Sequence, residues 1–233
     1  EDKPVTGGFM DLDQDIEKLM LATTDKWLAG QDVPEDPILQ NFVKYHRLVA
    51  DFDGRERAGV TPAMPLVEEY KALSSFKEFA AKIAEYEMAG KPNAFTFDVA
   101  PDFMNAKMNV LWADAPGIIL PDTTYYEEGN EKGKELLTIW RKMQEELLPK
   151  FGFSAEETKD ILDKYLELDA KLAKYVLSNE ETSEYVKLYH PYDWADFTKL
   201  APELPLDVIF TEILGQSPDK VIVPQERFWK EFA

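Results

Sequence analysis

The segment Ser154–Tyr175, SAEETKDILDKYLELDAKLAKY, decides the fold class of this chain. Ser154 and Glu157 have the spacing of a capping box, in which each side chain accepts a backbone N–H at the start of a helix. Behind this start, apolar residues recur every three or four positions: Ile161, Tyr165, Leu168, Leu172 and Tyr175. This spacing places them on one helical face, so the segment predicts a long amphipathic helix.

Similar start and stop signals predict helices along most of the chain. We expect them at residues 15–28, 37–51, 61–70, 75–90, 131–148, 180–188, 193–200, 205–214 and 224–232. The middle of the chain predicts strands instead of helices. Two short segments there, Lys107–Trp112 and Gly117–Leu120, partly alternate between apolar and polar residues and are bounded by prolines, which predicts two strands. Lys220–Val223 is a further candidate strand. The sequence therefore predicts a mainly α fold, with a small β element around residues 107–120, in one multi-helix domain over residues 1–233.

Charge and cysteine content exclude several classes of function. The 233 residues contain 26 Lys and Arg against 45 Asp and Glu, a net charge of −19. Such a field repels phosphate backbones and anionic headgroups, so we expect neither nucleic-acid nor membrane-surface partners. The chain has no cysteine, which excludes thiol catalysis and cysteine-ligated zinc. A cysteine-free chain fits a reducing compartment, so we expect a cytoplasmic location and leave export open.

The sequence contains no complete catalytic or metal-binding motif. Its only histidines are His46 and His190, and neither begins the H-E-x-x-H pattern of a zinc peptidase. Asp11, Asp13 and Asp15 imitate the start of a calcium loop, but isoleucine occupies the required glycine position. We therefore expect no catalytic residue and no metal ligand in this chain.

A family resemblance is carried by the segment 117–126, GIILPDTTYY, preceded by KMNVLWADAP at residues 107–116. Together they resemble part of the N-terminal region of the neprilysin family of zinc metallopeptidases. KPVTGGF at residues 3–9 and VIVPQERFWKEF at residues 221–232 are similar to further family segments and follow in the same order. The resemblance covers essentially the whole chain, and it is closest to the cysteine-free bacterial branch, the oligopeptidase O type.

The resemblance implies a role without catalysis for this part of the protein. In that family the H-E-x-x-H helix and a further glutamate lie in the C-terminal region, while the helical N-terminal region covers the active site and admits only peptides. The implied partners are oligopeptide substrates and the C-terminal catalytic domain of the same polypeptide. The implied cofactor is zinc in the parent enzyme, which would hydrolyse internal peptide bonds. We expect this chain alone to bind no zinc and to cleave nothing, and we expect the polypeptide to continue past Ala233.

Phe9 is the single candidate for substrate binding. It matches a family phenylalanine that lines a side-chain pocket, but the flanking basic residues of animal members correspond to Val5 and Asp13 here. This departure weakens the expected preference for peptides with a nearby free carboxylate. Phe9 could equally act as a hydrophobic staple that packs on the following helix. Asn93–Phe95 imitates the family's substrate-binding strand but lies in the wrong part of the chain.

Two alternatives from other classes remain open at this level. The chain could be a standalone helical module that binds peptides or proteins without catalysis. It could also be a hydrolase that uses two carboxylates facing each other across a cleft. The next codons after Ala233 distinguish the standalone module from the peptidase region.

Overall fold

The computed structural model describes residues 8–232, which are mainly helical with one small mixed sheet. The chain divides into two compact units, Glu1–Pro62 and Ala63–Ala233. The expectation of one domain over residues 1–233 stays a prediction. Within residues 8–232, no helix combines the length and the apolar character that crossing a membrane requires.

The first unit consists of helices over its described residues. These are α1 (Gly8–Leu28), α2 (Pro37–Ala50) and α3 (Phe52–Ala58). The predicted start of α1 at residue 15 is wrong, because the apolar spacing already begins at Phe9 and Leu12. α2 begins as predicted, since the Asp36 carboxylate accepts the backbone N–H groups of Ile38 and Leu39 at 2.8 and 3.1 Å. The sequence patterns do not predict α3, which begins where the Asp51 carboxylate accepts the Gly54 N–H.

Few side chains of the first unit are buried. Among residues 8–62, only Thr24 and Val43 are buried. The predicted apolar stripe of α1 is largely exposed at Ile16, Leu19 and Met20. α1 and α2 meet through Trp27 and Phe42, whose rings lie edge to face at 6.5 Å. These helices therefore depend mainly on local signals for their formation.

The second unit contains the remaining helices and the sheet. Its α-helices are α4 (Met64–Lys71), α5 (Phe76–Ala80), α6 (Ile83–Met88), α7 (Glu131–Leu147), α8 (Ala155–Leu172), α9 (Asn179–Ser183), α10 (Trp194–Phe197), α11 (Leu206–Leu214) and α12 (Glu226–Glu231). The capping box at Ser154 and Glu157 is present. The predicted helices at 180–188 and 193–200 are shorter than expected, because each passes into a 3₁₀ turn.

The helix expected over residues 75–90 is divided in two. Ser75 caps α5, but Lys82 N–H donates to the Phe79 carbonyl, a tight turn that ends the first piece. The new direction brings Ile83, Ala84 and Tyr86 of α6 into the core. Burial of these side chains explains why the chain turns there rather than continuing one long helix.

The sheet has four strands in the order β1–β2–β4–β3. These are β1 (Thr96–Asp102), β2 (Asn105–Asp114), β3 (Pro191–Asp193) and β4 (Lys220–Ile222). β1 and β2 are antiparallel, with Val99 opposite Leu111; β2 and β4 are parallel, and β3 and β4 are antiparallel. The predicted strands at 107–112 and 220–223 are confirmed, whereas β1 and β3 were not identified from the sequence.

The predicted strand Gly117–Leu120 is wrong. Within residues 8–232 this segment has no strand partner, because side chains bind its backbone N–H groups: the Ile119 N–H donates to Asp169 and the Leu120 N–H to the Tyr126 hydroxyl. The prediction of a small β element around residues 107–120 is therefore correct only for its first part.

An aromatic cluster forms the core of the second unit. Trp229 on α12 is 0% exposed and lies against the sheet, where its indole N–H donates to the Ala113 carbonyl at 3.2 Å. Five aromatic rings surround it at ring distances of 5.0–6.2 Å. They come from the loop before β1, from β1, from α10, from α12 and from the residue that follows α12: Phe95, Phe97, Phe197, Phe228 and Phe232. This core fixes the helices against one face of the sheet.

Candidate functional site

Phe9, the predicted substrate-binding residue, lies in the first turn of α1. Its side chain is 91% exposed, so it does not pack as a staple on its own helix. Asp13 follows one turn later and is also exposed, which leaves the carboxylate beside the phenylalanine. Val5, the other flanking position, lies outside the described residues. The exposed ring is available for contact, and its role in lining a substrate pocket stays a prediction.

The histidines do not form a metal centre. His46 lies on α2 with its ring 5.9 Å from that of Phe42, in the first unit. His190 lies in the second unit, where its Nδ1 is 3.3 Å from the Val223 carbonyl. Over residues 8–232, no group of three or more His, Asp or Glu side chains is arranged to hold a metal ion. The His, Asp and Glu side chains of residues 8–232 are therefore not arranged as ligands of a zinc ion.

The segment 117–126 is held by a buried carboxylate on α8. Asp169 is buried, and its Oδ1 accepts the Ile119 N–H at 2.8 Å while its Oδ2 accepts the Tyr126 hydroxyl at 2.5 Å. The Tyr126 oxygen in turn accepts the Leu120 N–H at 3.1 Å. Burial, followed by the bond to Asp169, raises the pKa of the Tyr126 hydroxyl well above its usual range. This phenol stays protonated and serves as a clamp.

Asp122 fastens the same segment to the start of α9. Its Oδ2 accepts the Asn179 N–H at 2.5 Å, and its Oδ1 accepts the Thr124 N–H at 2.8 Å. These hydrogen bonds, with Asn179 first, lower the pKa of the Asp122 carboxyl. Backbone donors thus occupy both this carboxylate and that of Asp169. Such carboxylates position the chain and are poorly placed to act as acid or base.

The start of α7 requires a close backbone approach to this segment. Asn130 caps α7 by accepting the Gly133 N–H at 3.0 Å, and its amide donates to the Thr124 carbonyl at 3.0 Å. A Cβ on Gly133 would lie 1.9 Å from the Tyr125 carbonyl oxygen, so only glycine fits at this contact. The sequence GIILPDTTYY therefore acts as a structural connector among α7, α8 and α9.

A partly buried ion pair that the sequence patterns do not predict lies at the end of the β1–β2 hairpin. Asp102 Oδ2 lies 2.5 Å from Lys220 Nζ, and its Oδ1 accepts the Tyr189 hydroxyl at 2.7 Å and the Met104 N–H at 3.0 Å. The bond from the Lys220 ammonium is the largest cause that lowers the pKa of Asp102 to about 2. The partners lie 118 positions apart in sequence, and no local pattern around either residue predicts the pair.

Apolar side chains remain exposed on α7 and α8 in the second unit. Met143 and Ile139 are exposed on α7, and Tyr165 and Leu168 on α8. The ring of Tyr165 stacks on Trp140 at 5.5 Å, which joins the exposed parts of the two helices. Exposed apolar surface of this kind is typical of faces that bind another segment or protein.

The comparisons with known proteins agree with the family resemblance. The model of peptidase family M13 matches residues 1–233. A Streptococcus gordonii protein whose name describes a zinc metalloproteinase is 66% identical over 230 residues, covering 99% of this chain and 41% of that protein. A neutral endopeptidase of Lactococcus lactis subsp. cremoris is 31% identical over 233 residues, covering 99% of this chain and 36% of that protein.

A solved structure supports the fold independently. The crystal structure of PepO from Lactobacillus rhamnosis HN001 matches with a TM-score of 0.83 at 22% identity, covering 98% of this chain and 36% of that one. The chain thus spans 36–41% of the length of these relatives. The resemblance drawn from residues 107–126 and the mainly helical fold class are both confirmed. This chain belongs to peptidase family M13, of which it comprises the N-terminal region.

Proposed function

We propose that this chain is the N-terminal, non-catalytic part of a zinc metalloendopeptidase that hydrolyses oligopeptides, and that it encloses the active site and limits substrate size. The observation that carries the proposal is the family match over residues 1–233 combined with the absence of a metal-binding group among residues 8–232. The relatives are more than twice as long as this chain, so most of each relative lies outside the matched region.

Exposed apolar faces support a covering role. Ile38 on α2 is 78% exposed, and Met143 on α7 and Tyr165 on α8 are exposed as well. Leaving large apolar side chains in water forfeits about 1.5–3 kcal/mol for each one that could be buried. We propose that the catalytic region of the same polypeptide covers part of this surface, and that peptides contact another part, including Phe9.

The zinc in this proposal is bound outside the chain. When bound there, zinc would polarise the scissile carbonyl and the attacking water. The residues of this chain would exclude folded proteins sterically and attract cationic peptides electrostatically. The net charge of −19 favours the approach of cationic peptides.

The first experiment is to read the gene past Ala233. An in-frame H-E-x-x-H with a downstream glutamate supports the proposal, whereas a stop codon directly after Ala233 contradicts it and leaves a standalone binding module. The full-length protein is then assayed with quenched fluorescent oligopeptides and with a folded protein as control. We expect cleavage of the peptides alone, and complete loss of cleavage with a chelator.

A variant tests the role of Phe9 in the full-length protein. We expect Phe9→Ala to lower kcat/KM by about tenfold for peptides with a large hydrophobic side chain beside the scissile bond. Phe52→Ala is the matched control, because Phe52 is also an exposed phenylalanine and lies on α3 of the same unit. Equal effects of both variants would assign the loss to general destabilisation and contradict a pocket role for Phe9.

A further inference from the structure

The strand β1 has a free edge. In the order β1–β2–β4–β3, β1 pairs only with β2 among the described residues, so the other side of its backbone lacks a strand partner. The Val99 N–H donates instead to the Asp98 side chain, at 2.7 Å to Oδ1. Pro101 cannot donate a backbone hydrogen bond, which limits further pairing to the stretch before it. Edge strands of this kind readily add another extended segment.

An apolar cleft lies beside this edge. Two adjacent cavities, of about 430 and 230 Å³, share Val99, Leu111 and Leu214 as lining residues. Phe210 and Ile213 of α11 contribute to the smaller one. We call the combined cavities the β1 cleft. Val99 is 50% exposed at its centre, so an aliphatic side chain placed on it would gain buried contact.

The rim of the β1 cleft is acidic. Asp98, Glu87 and Asp219 line it, and Asp98 and Asp219 are exposed. Lys220 also lines the cleft, but its ammonium is paired with Asp102, which cancels its charge locally. The rim therefore keeps a negative charge next to an apolar floor, a combination complementary to a segment of alternating basic and aliphatic residues.

We propose that the β1 cleft binds an extended, basic segment of an oligopeptide substrate, which adds to the free edge of β1. Alternate side chains of an added strand point to the same side, so an aliphatic side chain reaches Val99 while lysine or arginine side chains reach the acidic rim. The inference rests on the proposed function for the origin of the peptide. The cleft would raise the local concentration of such substrates without taking part in bond cleavage.

The test uses the full-length holoenzyme and a fluorogenic peptide of alternating lysine and valine, with a glutamine–valine peptide as the neutral comparison. Asp98→Lys replaces one negative charge of the rim by a positive one, and Val99→Lys places an ammonium in the cleft. Glu146→Lys is the matched control for Asp98→Lys, since it makes the same change in net charge at an exposed position of α7 that does not line the cleft. Hydrogen exchange of residues 96–100 reports directly on strand addition.

We expect each cleft variant to raise KM for the lysine–valine peptide by about tenfold with kcat unchanged, and Glu146→Lys to change it less than about twofold. The peptide should slow amide exchange in residues 96–100 of the wild type. Equal effects of all three variants, or unchanged exchange at residues 96–100, would overturn the inference while cleavage itself supports the proposed function. If the wild type cleaves no peptide, the proposed function fails, and the exchange measurement alone decides whether the cleft binds peptides.

Discussion

The two units of this chain contrast in how their helices are stabilised. In the described part of the first unit, α1 to α3 bury only Thr24 and Val43, and large apolar side chains remain exposed. In the second unit, helices and sheet enclose an aromatic core around Trp229. Both units carry good helix signals, yet among the described residues only the helices of the second unit pack around a buried core.

This contrast shows that amphipathic periodicity predicts a helix without predicting what covers its apolar face. Elements with few buried contacts open at low free energy, while core elements open only with global unfolding. The first unit is therefore expected to gain most from the further chain present in its relatives. Four predictions test this difference, from the largest effect to the smallest.

Removing the central core side chain should have the largest effect. Trp229→Ala deletes a fully buried ring and leaves the Ala113 carbonyl without its donor, so we expect a loss of about 3–5 kcal/mol in the free energy of unfolding. Trp27→Ala in the first unit removes a half-buried ring and should cost only about 1 kcal/mol. Urea unfolding followed by far-UV circular dichroism measures both. Similar losses would show that the units are stabilised alike.

The Asp102–Lys220 pair should make the stability of the second unit depend on pH. The pKa of Asp102 is lowered from 3.8 to about 2, so its contribution is complete above pH 4 and is lost as pH falls towards about 2. Asp102→Asn should therefore be much less stable than the wild type at pH 6, and the difference should shrink below pH 4. Asp15→Asn, from an exposed pair with Lys18 in the first unit, is the control. A pH-independent difference would contradict the role of the ion pair.

The clamp on the segment 117–126 should have an intermediate effect. Tyr126→Phe removes the hydroxyl that donates to buried Asp169 and accepts from Leu120, so we expect a loss of about 1–3 kcal/mol. Tyr45→Phe, at an exposed position of α2, should change stability by less than about 0.5 kcal/mol. Thermal unfolding of the two variants and the wild type measures these changes in stability. A neutral Tyr126→Phe would mean that Asp169 finds another donor.

Removing helix caps should have the smallest effects on stability. The extent of fraying that follows compares one helix of each unit. Ser154→Ala and Asp36→Ala each remove one cap, which costs about 1 kcal/mol. After the cap is lost, buried side chains such as Leu162 still hold α8 in place, whereas α2 buries only Val43. Hydrogen exchange should therefore show fraying over more of α2 than of α8. Equal fraying would remove the distinction drawn between the units.

Local signals predicted much of the fold. α2, α7, α8 and α11 lie close to their expected positions, because caps and apolar spacing act between residues only a few positions apart. The sequence patterns do not predict β1, because Asp98 and Pro101 are residue types that are rare in strands. Its pairing with β2 makes this segment a strand. Phe9 was singled out by resemblance, and its exposure on α1 is compatible with contact to another molecule.

By itself, the sequence determined the helical fold class, the family and the absence of a zinc motif from this chain, since these depend on local patterns and residue types. The tertiary structure decided which apolar faces are buried, how Asp169 and Asp102 are used, and where the β1 cleft lies. Asp169 meets Ile119 across 50 positions and Asp102 meets Lys220 across 118. Contacts over such separations depend on the packing of the whole unit, which no local pattern encodes.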